Sequence, residues 1–208
     1  MHLRRTKVTR MNRRSAILLA LGAVTATLTP AGDARAEGSN SRKVERYEVA
    51  GNGARAGAAR TVVEAPREVV RSVVTDYNRY TDFITRFRSA KIVGKSGDKT
   101  DVYLQVPIMN GTVKIWAVVR FDPPKQVGND LVITSKMLKG NVKRLDANWR
   151  IKQLDEHRSE LALELTIVPD IPIPDSLVMP EVRYAAAKAV GGSRDEAERR
   201  RAKGSEQS

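Results

Sequence analysis

Between residues 89 and 168 the chain alternates apolar and polar side chains in six successive segments, and this pattern constrains the fold more than any other feature. In the segment Lys143–Leu154, for example, Leu145, Ala147 and Trp149 are separated by charged or amide residues. A period of two indicates a strand with one apolar face and one solvated face. The breaks between segments are short and contain turn residues, and short turns join antiparallel neighbours. The sequence therefore predicts an antiparallel meander whose apolar face needs a covering element.

Two further strands are predicted before the meander, which gives eight in all. They are expected at Val44–Val49, Arg60–Glu64, Ser89–Lys95, Thr100–Val106, Thr112–Phe121, Leu131–Met137, Lys143–Leu154 and Ser159–Val168. The connector Gly51–Ala59, between the first two strands, lacks large apolar side chains. It is compatible with a hairpin or with a loose loop.

A helix is predicted between the second strand and the meander. Pro66 suits a first helical turn because its missing N–H would have no intrahelical partner there, and Glu68 complements the positive end of the helix dipole. Apolar residues then recur at helical spacing over Val69–Tyr77, which predicts one buried stripe. A second short helix follows, with Asp76 at its N-cap position, and extends through Ile84.

The residues after the meander predict the covering element. A proline-rich connector leads into a long C-terminal helix that begins near Asp175 or near Glu181. Its apolar stripe contains Ala185, Ala186 and Ala189, where a leucine-rich stripe would fill more volume. These small residues either permit close packing against the sheet or leave a cavity between the helix and the sheet.

Two glycines and a capping pattern interrupt this helix. Gly191-Gly192 is expected to end or bend it, and Ser193–Glu196 has the pattern of a capping box that restarts it. The arginines that follow are expected to form a solvated, frayed end, with a disordered tail over residues 203–208.

The first 36 residues have the composition of an export signal. A head with six Lys and Arg residues precedes the apolar stretch Ala16–Leu28, which is shorter than the ~20 residues of a membrane-spanning helix. The triplet Ala34-Arg35-Ala36 then forms an A-x-A cleavage site. We therefore expect cleavage near Ala36 and an exported, periplasmic or secreted protein. The pair Arg13-Arg14 leaves both the general and the twin-arginine export routes open.

Charge and composition narrow the partners that the chain can have. The full chain carries a formal net charge of +13, and residues 1–36 hold seven of its 37 Lys and Arg and one of its 24 Asp and Glu, so the remainder carries +7. A moderately basic exported protein suits transient contact with an anionic membrane surface, and no nucleic-acid partner is expected. The same charge is also compatible with a plain solvated surface. The sequence has no Cys, which excludes disulfides and thiolate metal sites.

The order of elements and three short motifs resemble one known superfamily. The motifs are Val63–Val70 (VEAPREVV), Thr75–Tyr80 (TDYNRY) and Trp149-Arg150. With the predicted elements, they are similar to the START-related, polyketide cyclase-like (SRPBCC) superfamily, nearest its coenzyme Q-binding START-like cyclase branch. The resemblance covers most of residues 60–200. It implies an α+β helix-grip fold, in which a curved antiparallel β-sheet wraps around a long C-terminal α-helix, two short helices follow the first core strand, and a hydrophobic ligand lies between sheet and helix.

This fold, the strand parity and the small residues of the helix together give the candidate ligand-binding residues. They are Tyr80, Phe83, Leu104, Ile115, Ala117, Val119, Phe121, Trp149, Leu163, Leu165, Val182, Ala185, Ala186 and Ala189. The expected organisation is a signal peptide over residues 1–36, an N-terminal strand and Gly/Ala-rich connector over 37–59, a START-like helix-grip domain over 60–202, and the tail.

Residues that could perform chemistry are scarce. His157 is the one histidine after residue 36, and it falls in a polar turn between two strands. Asp101 and Asp146 fall on the polar side of their strands. No metalloprotease, nucleophile-elbow or phosphate-binding motif occurs in the sequence. Neither a cofactor nor a metal site is therefore expected.

Three functions stay open. The favoured one is a non-catalytic exported carrier or sensor of a lipid, a quinone or a similar hydrophobic ligand. The second is a cyclase-, aromatase- or dehydratase-like enzyme on the same fold, and the third is a structural adaptor with a filled core. A carrier should retain extractable ligand, whereas an enzyme needs a titratable residue that points into the cavity. The sequence leaves the oligomeric state open.

Overall fold

The computed structural model describes residues 43–50, 54–108, 113–170 and 172–205. The export signal predicted for residues 1–36 and the turn predicted at Met109–Gly111 lie outside these ranges. Within them, no helix is long and apolar enough to cross a membrane.

The described strands form one antiparallel sheet. They are β1 (Glu45–Ala50), β2 (Arg55–Val63), β3 (Ser89–Ser96), β4 (Lys99–Ile108), β5 (Val113–Phe121), β6 (Lys125–Val127), β7 (Asp130–Gly140), β8 (Val142–Gln153) and β9 (Ser159–Pro169). Their order across the sheet is β1-β2-β9-β8-β7-β5-β4-β3, and β6 pairs with β7 beside this path. The predicted meander is confirmed. The short strand β6 was not predicted, because three residues are too few to show a period of two.

The helices lie on the apolar side of the sheet. They are α1 (Arg67–Val74), α2 (Tyr80–Phe83), which follows a 3₁₀ turn (Tyr77–Arg79), and α3 (Asp175–Ser205). The predicted stripe of α1 is buried at Val70, Val73 and Val74. Helix α3 packs against β2 and β9, so the sheet holds the long C-terminal helix as the helix-grip fold requires. The predicted fold class is confirmed.

Strand β2 begins earlier than predicted, at Arg55, and it forms a hairpin with β1. The domain boundary predicted at residue 60 therefore falls inside a strand that pairs with both β1 and β9. The small residues read as a connector have a packing role instead. A Cβ at Gly57 would lie 2.7 Å from the backbone nitrogen of Arg183, so a glycine is needed where α3 crosses this strand.

Helix α3 is continuous through Gly191-Gly192, so the predicted end and restart of the helix are wrong. A Cβ at Gly192 would overlap the carbonyl oxygen of Phe83. The glycine therefore allows α3 to approach the backbone after α2, and the packing keeps the helix intact despite the low helix propensity of glycine. Ser193 and Glu196 are buried inside the helix and do not cap a second one.

The C-terminal part of α3 carries an ion cluster around a buried carboxylate, and the helix does not fray there. The predicted fraying is wrong, whereas Arg199, Arg201 and Lys203 are solvated as predicted. Glu196 is 2% exposed and pairs with Arg199 and with Arg200, whose Nε lies 2.7 Å from a carboxylate oxygen. Arg200 also donates to Asp76 at 2.6 Å, so the carboxylate of Asp76 binds α3 and does not cap the 3₁₀ turn. Helix α3 extends to Ser205, three residues into the predicted tail, and residues 206–208 lie outside the described ranges.

Candidate ligand-binding site

An inner chamber of about 80 Å³ lies between the sheet and α3. Its walls come from the inward faces of β4, β5, β7, β8 and β9, from the aromatic residues around α2, and from one residue of α3. The lining residues are Tyr80, Phe87, Leu104, Val106, Ile115, Ala117, Val119, Phe121, Ser135, Leu145, Ala147, Trp149, Leu163, Leu165 and Ala189.

Three lining residues carry a polar side-chain group, the hydroxyls of Tyr80 and Ser135 and the indole N–H of Trp149, and all three are already engaged. The indole N–H of Trp149 donates to the Tyr80 phenol. Tyr80 Oη donates to the carbonyl oxygen of Val74 at 2.5 Å, and Ser135 Oγ donates to that of Ala147 at 3.0 Å. Burial raises the pKa of the Tyr80 phenol well above its ordinary value, so the phenol is neutral at physiological pH. The chamber therefore offers a ligand apolar contact and no free hydrogen-bonding side chain.

An outer chamber of about 250 Å³ adjoins the inner one, with which it shares Val106, Ile115 and Leu145. It lies between the first turns of α3 and the ends of β8 and β9. Its further lining residues are Arg86, Asn141, Val142, Ile167, Pro169, Asp170, Ile173, Leu177, Val178, Glu181, Val182 and Ala185. Leu177 is 66% exposed, so this chamber reaches the protein surface.

A charged pair spans the rim of the outer chamber. Arg86 Nη2 donates to a carboxylate oxygen of Glu181 at 3.0 Å. The guanidinium also lies over the ring of Tyr184, 4.9 Å from its centroid, while Arg86 Nε is buried without a described partner. The pair joins the loop after α2 to α3 across the chamber, and Glu181 remains half-exposed.

The three alanines of α3 differ in what they face. Ala189 lines the inner chamber and Ala185 lines the outer one. Ala186 is fully buried in the core and lines neither. Both alternatives left open by the sequence therefore hold, because one alanine permits close packing and the other two border open space.

The structure brings most of the candidate residues together. Ten line the inner chamber: Tyr80, Leu104, Ile115, Ala117, Val119, Phe121, Trp149, Leu163, Leu165 and Ala189. Val182 and Ala185 line the outer chamber, as does Ile115. Phe83 and Ala186 line neither. Phe83 packs edge-on against Tyr80 and lies beside a shallow surface groove. Ala186 lies in the core, where neighbouring side chains pack directly around it.

Several lining residues were not among the candidates. Val106, Leu145 and Ala147 share the strand parity of the candidates, so the alternation pattern could have supplied them. Phe87 lies in a loop, where no period exists. The rim pair of Arg86 and Glu181 depends on a contact between residues 95 positions apart, for which the sequence carries no local signal.

The described residues offer little for catalysis in the inner chamber. The lining contains no carboxylate and no imidazole. His157 lies exposed in the turn between β8 and β9, where its backbone N–H donates to Asp155 Oδ1 at 2.9 Å. No group of three or more His, Asp or Glu side chains in the described ranges could hold a metal ion. Titratable side chains that line a chamber, apart from Tyr80, occur at the rim, where Arg86, Asp170 and Glu181 lie.

The fold and the apolar chambers define a START-related helix-grip domain of the kind that binds hydrophobic ligands. The chain belongs to the family described as polyketide cyclase / dehydrase and lipid transport, whose model matches residues 63–186. The superfamily predicted from the sequence is therefore confirmed. No curated protein matches the sequence of this chain.

Solved structures of proteins from several organisms share the fold. A STAR-related lipid transfer protein fragment from Xanthomonas axonopodis has 15% identity and a TM-score of 0.62, with 74% of this chain and 92% of that one covered. The Zhui aromatase/cyclase of Streptomyces sp. R1128 has 21% identity and a TM-score of 0.59, with 76% and 96% covered. The lipid transfer and protein localization domain of human StarD13 has 16% identity and a TM-score of 0.59, with 77% and 93% covered.

Proposed function

We propose that this protein is an exported, non-catalytic carrier or sensor that holds a lipid, a quinone or a similar hydrophobic molecule in the two chambers. One observation carries the proposal: the inner chamber is lined by apolar side chains, and its two hydroxyls are bonded to backbone carbonyls. Such a chamber can bind an apolar group and has no described group that could exchange a proton with it at neutral pH.

Apolar contact alone supplies enough free energy for this role. At about 25 cal/mol per Å² of buried apolar surface, a ligand that hides about 300 Å² would gain about 7 kcal/mol before ordering costs. That gain supports binding in the micromolar range without a charged anchor. The polar end of an amphipathic ligand would then lie in the outer chamber, near Arg86 and Glu181.

The structural neighbours support the proposal and also indicate the main alternative function, which is enzymatic. Two of them are lipid transfer proteins by name, and the third is an aromatase/cyclase. An enzyme on this scaffold would use the rim residues Arg86, Asp170 or Glu181, since these titratable side chains line the outer chamber. All three lie outside the apolar inner chamber, and Arg86 and Glu181 bind each other across the rim, which favours a gating or orienting role for this pair over proton transfer.

A fluorescent apolar probe tests whether the chamber is the binding site. We expect N-phenyl-1-naphthylamine to bind the wild type with increased emission, and Trp149 to be quenched because it lines the inner chamber. Ala189→Leu adds bulk inside the chamber and should weaken probe binding at least tenfold while it leaves the thermal stability unchanged or higher.

Ala187→Leu is the matched control, since Ala187 lies two residues earlier on α3 and lines a surface groove, not a chamber. It should bind the probe like the wild type. Equal loss in both variants, or no probe binding by the wild type, would remove the chamber as the site. A clear destabilisation by Ala189→Leu would show instead that the space beside it is filled, as a structural adaptor requires.

A further inference from the structure

The solvated face of the sheet, which points away from α3, has two parts of different character. Across β7, β8 and β9 it is polar, with a shallow groove lined by residues such as Asp146, Asn148 and Glu164. Across β3, β4, β5 and β7 it carries a second depression, lined by Val93, Asp101, Tyr103, Trp116, Val118, Leu138 and Lys139. We call this second surface the outer apolar face.

The outer apolar face exposes large apolar groups that no described element covers. Val93 is 56% exposed and Leu138 is 48% exposed. Between them the rings of Tyr103 and Trp116 stack, with centroids 6.2 Å apart. Contiguous exposed apolar groups of this kind mark interaction surfaces, and Trp and Tyr are the side chains that suit a boundary between an apolar phase and water.

Uncompensated positive charge surrounds this apolar centre. Lys91 lies opposite Tyr103, Lys139 lies opposite Val118, and Lys114 precedes Trp116 by two residues on the same strand face. All three lysines are exposed, and none forms an ion pair with a residue that the structure describes. The acid at this face is neutralised, because Arg120 donates to both carboxylate oxygens of Asp101 at 2.7 Å.

The outer apolar face is joined to the ligand-binding site through one side chain. Asn141 lines the outer chamber. Its side chain forms hydrogen bonds with the backbone of β5 at Lys114 and Trp116. Its Oδ1 accepts from the backbone N–H of Trp116 at 2.9 Å, and its Nδ2 donates to the carbonyl oxygen of Lys114 at 2.7 Å. A partner on this face would therefore lie beside the outer chamber.

We propose that the outer apolar face docks the protein on an anionic lipid membrane. Lysines around the rim attract anionic headgroups, and Trp116, Tyr103 and Leu138 enter the boundary between headgroups and acyl chains. This pairing of a basic rim with amphipathic aromatic rings matches a lipid surface better than a protein surface, since the cores of protein interfaces are depleted in Lys. The docking does not depend on whether the chambers hold a ligand.

Sedimentation with vesicles tests the proposal. The wild type should bind vesicles of mixed phosphatidylglycerol and phosphatidylcholine, and should bind vesicles of phosphatidylcholine alone far more weakly. Lys139→Gln should weaken binding to the anionic vesicles about fivefold, and Leu138→Ser should weaken it by a similar factor. The matched controls are Lys152→Gln and Leu154→Ser, which change exposed residues away from this face. All variants share the N-terminus of the wild type, so its contribution cancels.

The environment of Trp116 provides a second readout that does not depend on those variants. In a Trp149→Phe background, Trp116 is the remaining tryptophan. Its emission should shift to the blue on anionic vesicles and be quenched by brominated acyl chains. Unchanged emission from vesicle-bound protein, or equal loss of binding in the control variants, would overturn the proposal. A blue shift on self-association without vesicles would overturn it in favour of a second copy of the chain.

Discussion

Tyr80 shows how a single side chain can shape the site and report on it. Its ring lines the inner chamber and packs against Phe83 and Phe87, with centroids 5.7 and 5.6 Å away. Its hydroxyl points back to the carbonyl of Val74, the last residue of α1. The phenol thus satisfies its hydrogen bond outside the chamber and presents only its ring to a ligand.

The buried phenol predicts a loss of stability at alkaline pH. Burial raises the pKa of Tyr80 well above its ordinary value of about 10. The unfolded chain releases this proton at a lower pH than the folded protein, so the stabilisation is complete below about pH 10 and is lost as the pH rises toward the folded pKa. In Tyr80→Phe the free energy of unfolding should fall less steeply above about pH 10 than in the wild type.

Urea titrations at a series of pH values measure this difference. At neutral pH the same substitution should cost about 1 kcal/mol, because the carbonyl of Val74 loses its donor. Parallel alkaline profiles for the two proteins would show that Tyr80 is not the buried group responsible.

At the scale of elements, α3 depends on two adjacent glycines that have different surroundings. A Cβ at Gly191 would meet Val44 Cγ2 at 3.6 Å, an ordinary contact, whereas a Cβ at Gly192 would overlap the carbonyl oxygen of Phe83. Gly191→Ala should therefore stabilise the protein by about 0.5 to 1 kcal/mol through helix propensity. Gly192→Ala should destabilise it by about 1 to 3 kcal/mol, since backbone atoms have to move.

Chemical denaturation of both variants beside the wild type checks the opposite signs. Each variant is the control for the other, because both substitutions add one methyl group and they do so at neighbouring positions of the same helix. Two stabilising changes would mean that α3 does not approach the backbone at Phe83 as closely as described, and two destabilising ones would mean that the helix bends at both glycines.

The sequence predicted elements whose signal is local and periodic. The alternation in β8 and β9 and the stripe of α1 gave the meander, the inward parity and most of the chamber lining. Contacts between distant segments were not predictable from local patterns. A glycine that allows two backbone segments to pack closely has the same local signal as a glycine that ends a helix or strand. The sequence pattern therefore predicts a connector at Gly57 and a helix end at Gly192, where the structure has close packing. It also predicts a frayed end after Glu196, because the contact of Arg200 with the distant Asp76 has no local signal.

At the scale of the whole molecule, the ligand chambers and the outer apolar face lie on opposite sides of the same strands. Leu104 and Ile115 point into the chambers, while Tyr103 and Trp116, their neighbours along β4 and β5, point outward. Because successive side chains of a strand point to opposite faces, the same stretch of β4 and β5 lines the chambers on one side and forms the outer apolar face on the other.

The composition of residues 1–36 is the basis for the proposal that the protein is exported. The A-x-A triplet ending at Ala36 predicts that the mature protein begins at Glu37. N-terminal sequencing of the protein recovered from an exported fraction measures this directly. An N-terminus at Met1 or Met11 would contradict cleavage. An anchored or intracellular location would then be the alternative.

Native mass spectrometry of the protein as isolated from its cells tests the central claim most directly. We expect a bound mass that organic extraction removes and that the Ala189→Leu variant lacks. The stripped wild type should take up the extracted compound again and release it with its mass unchanged. Recovery of the compound with an altered mass would show an enzyme. No bound mass, together with no uptake of the extracted lipids of the same cells, would contradict the ligand-binding account.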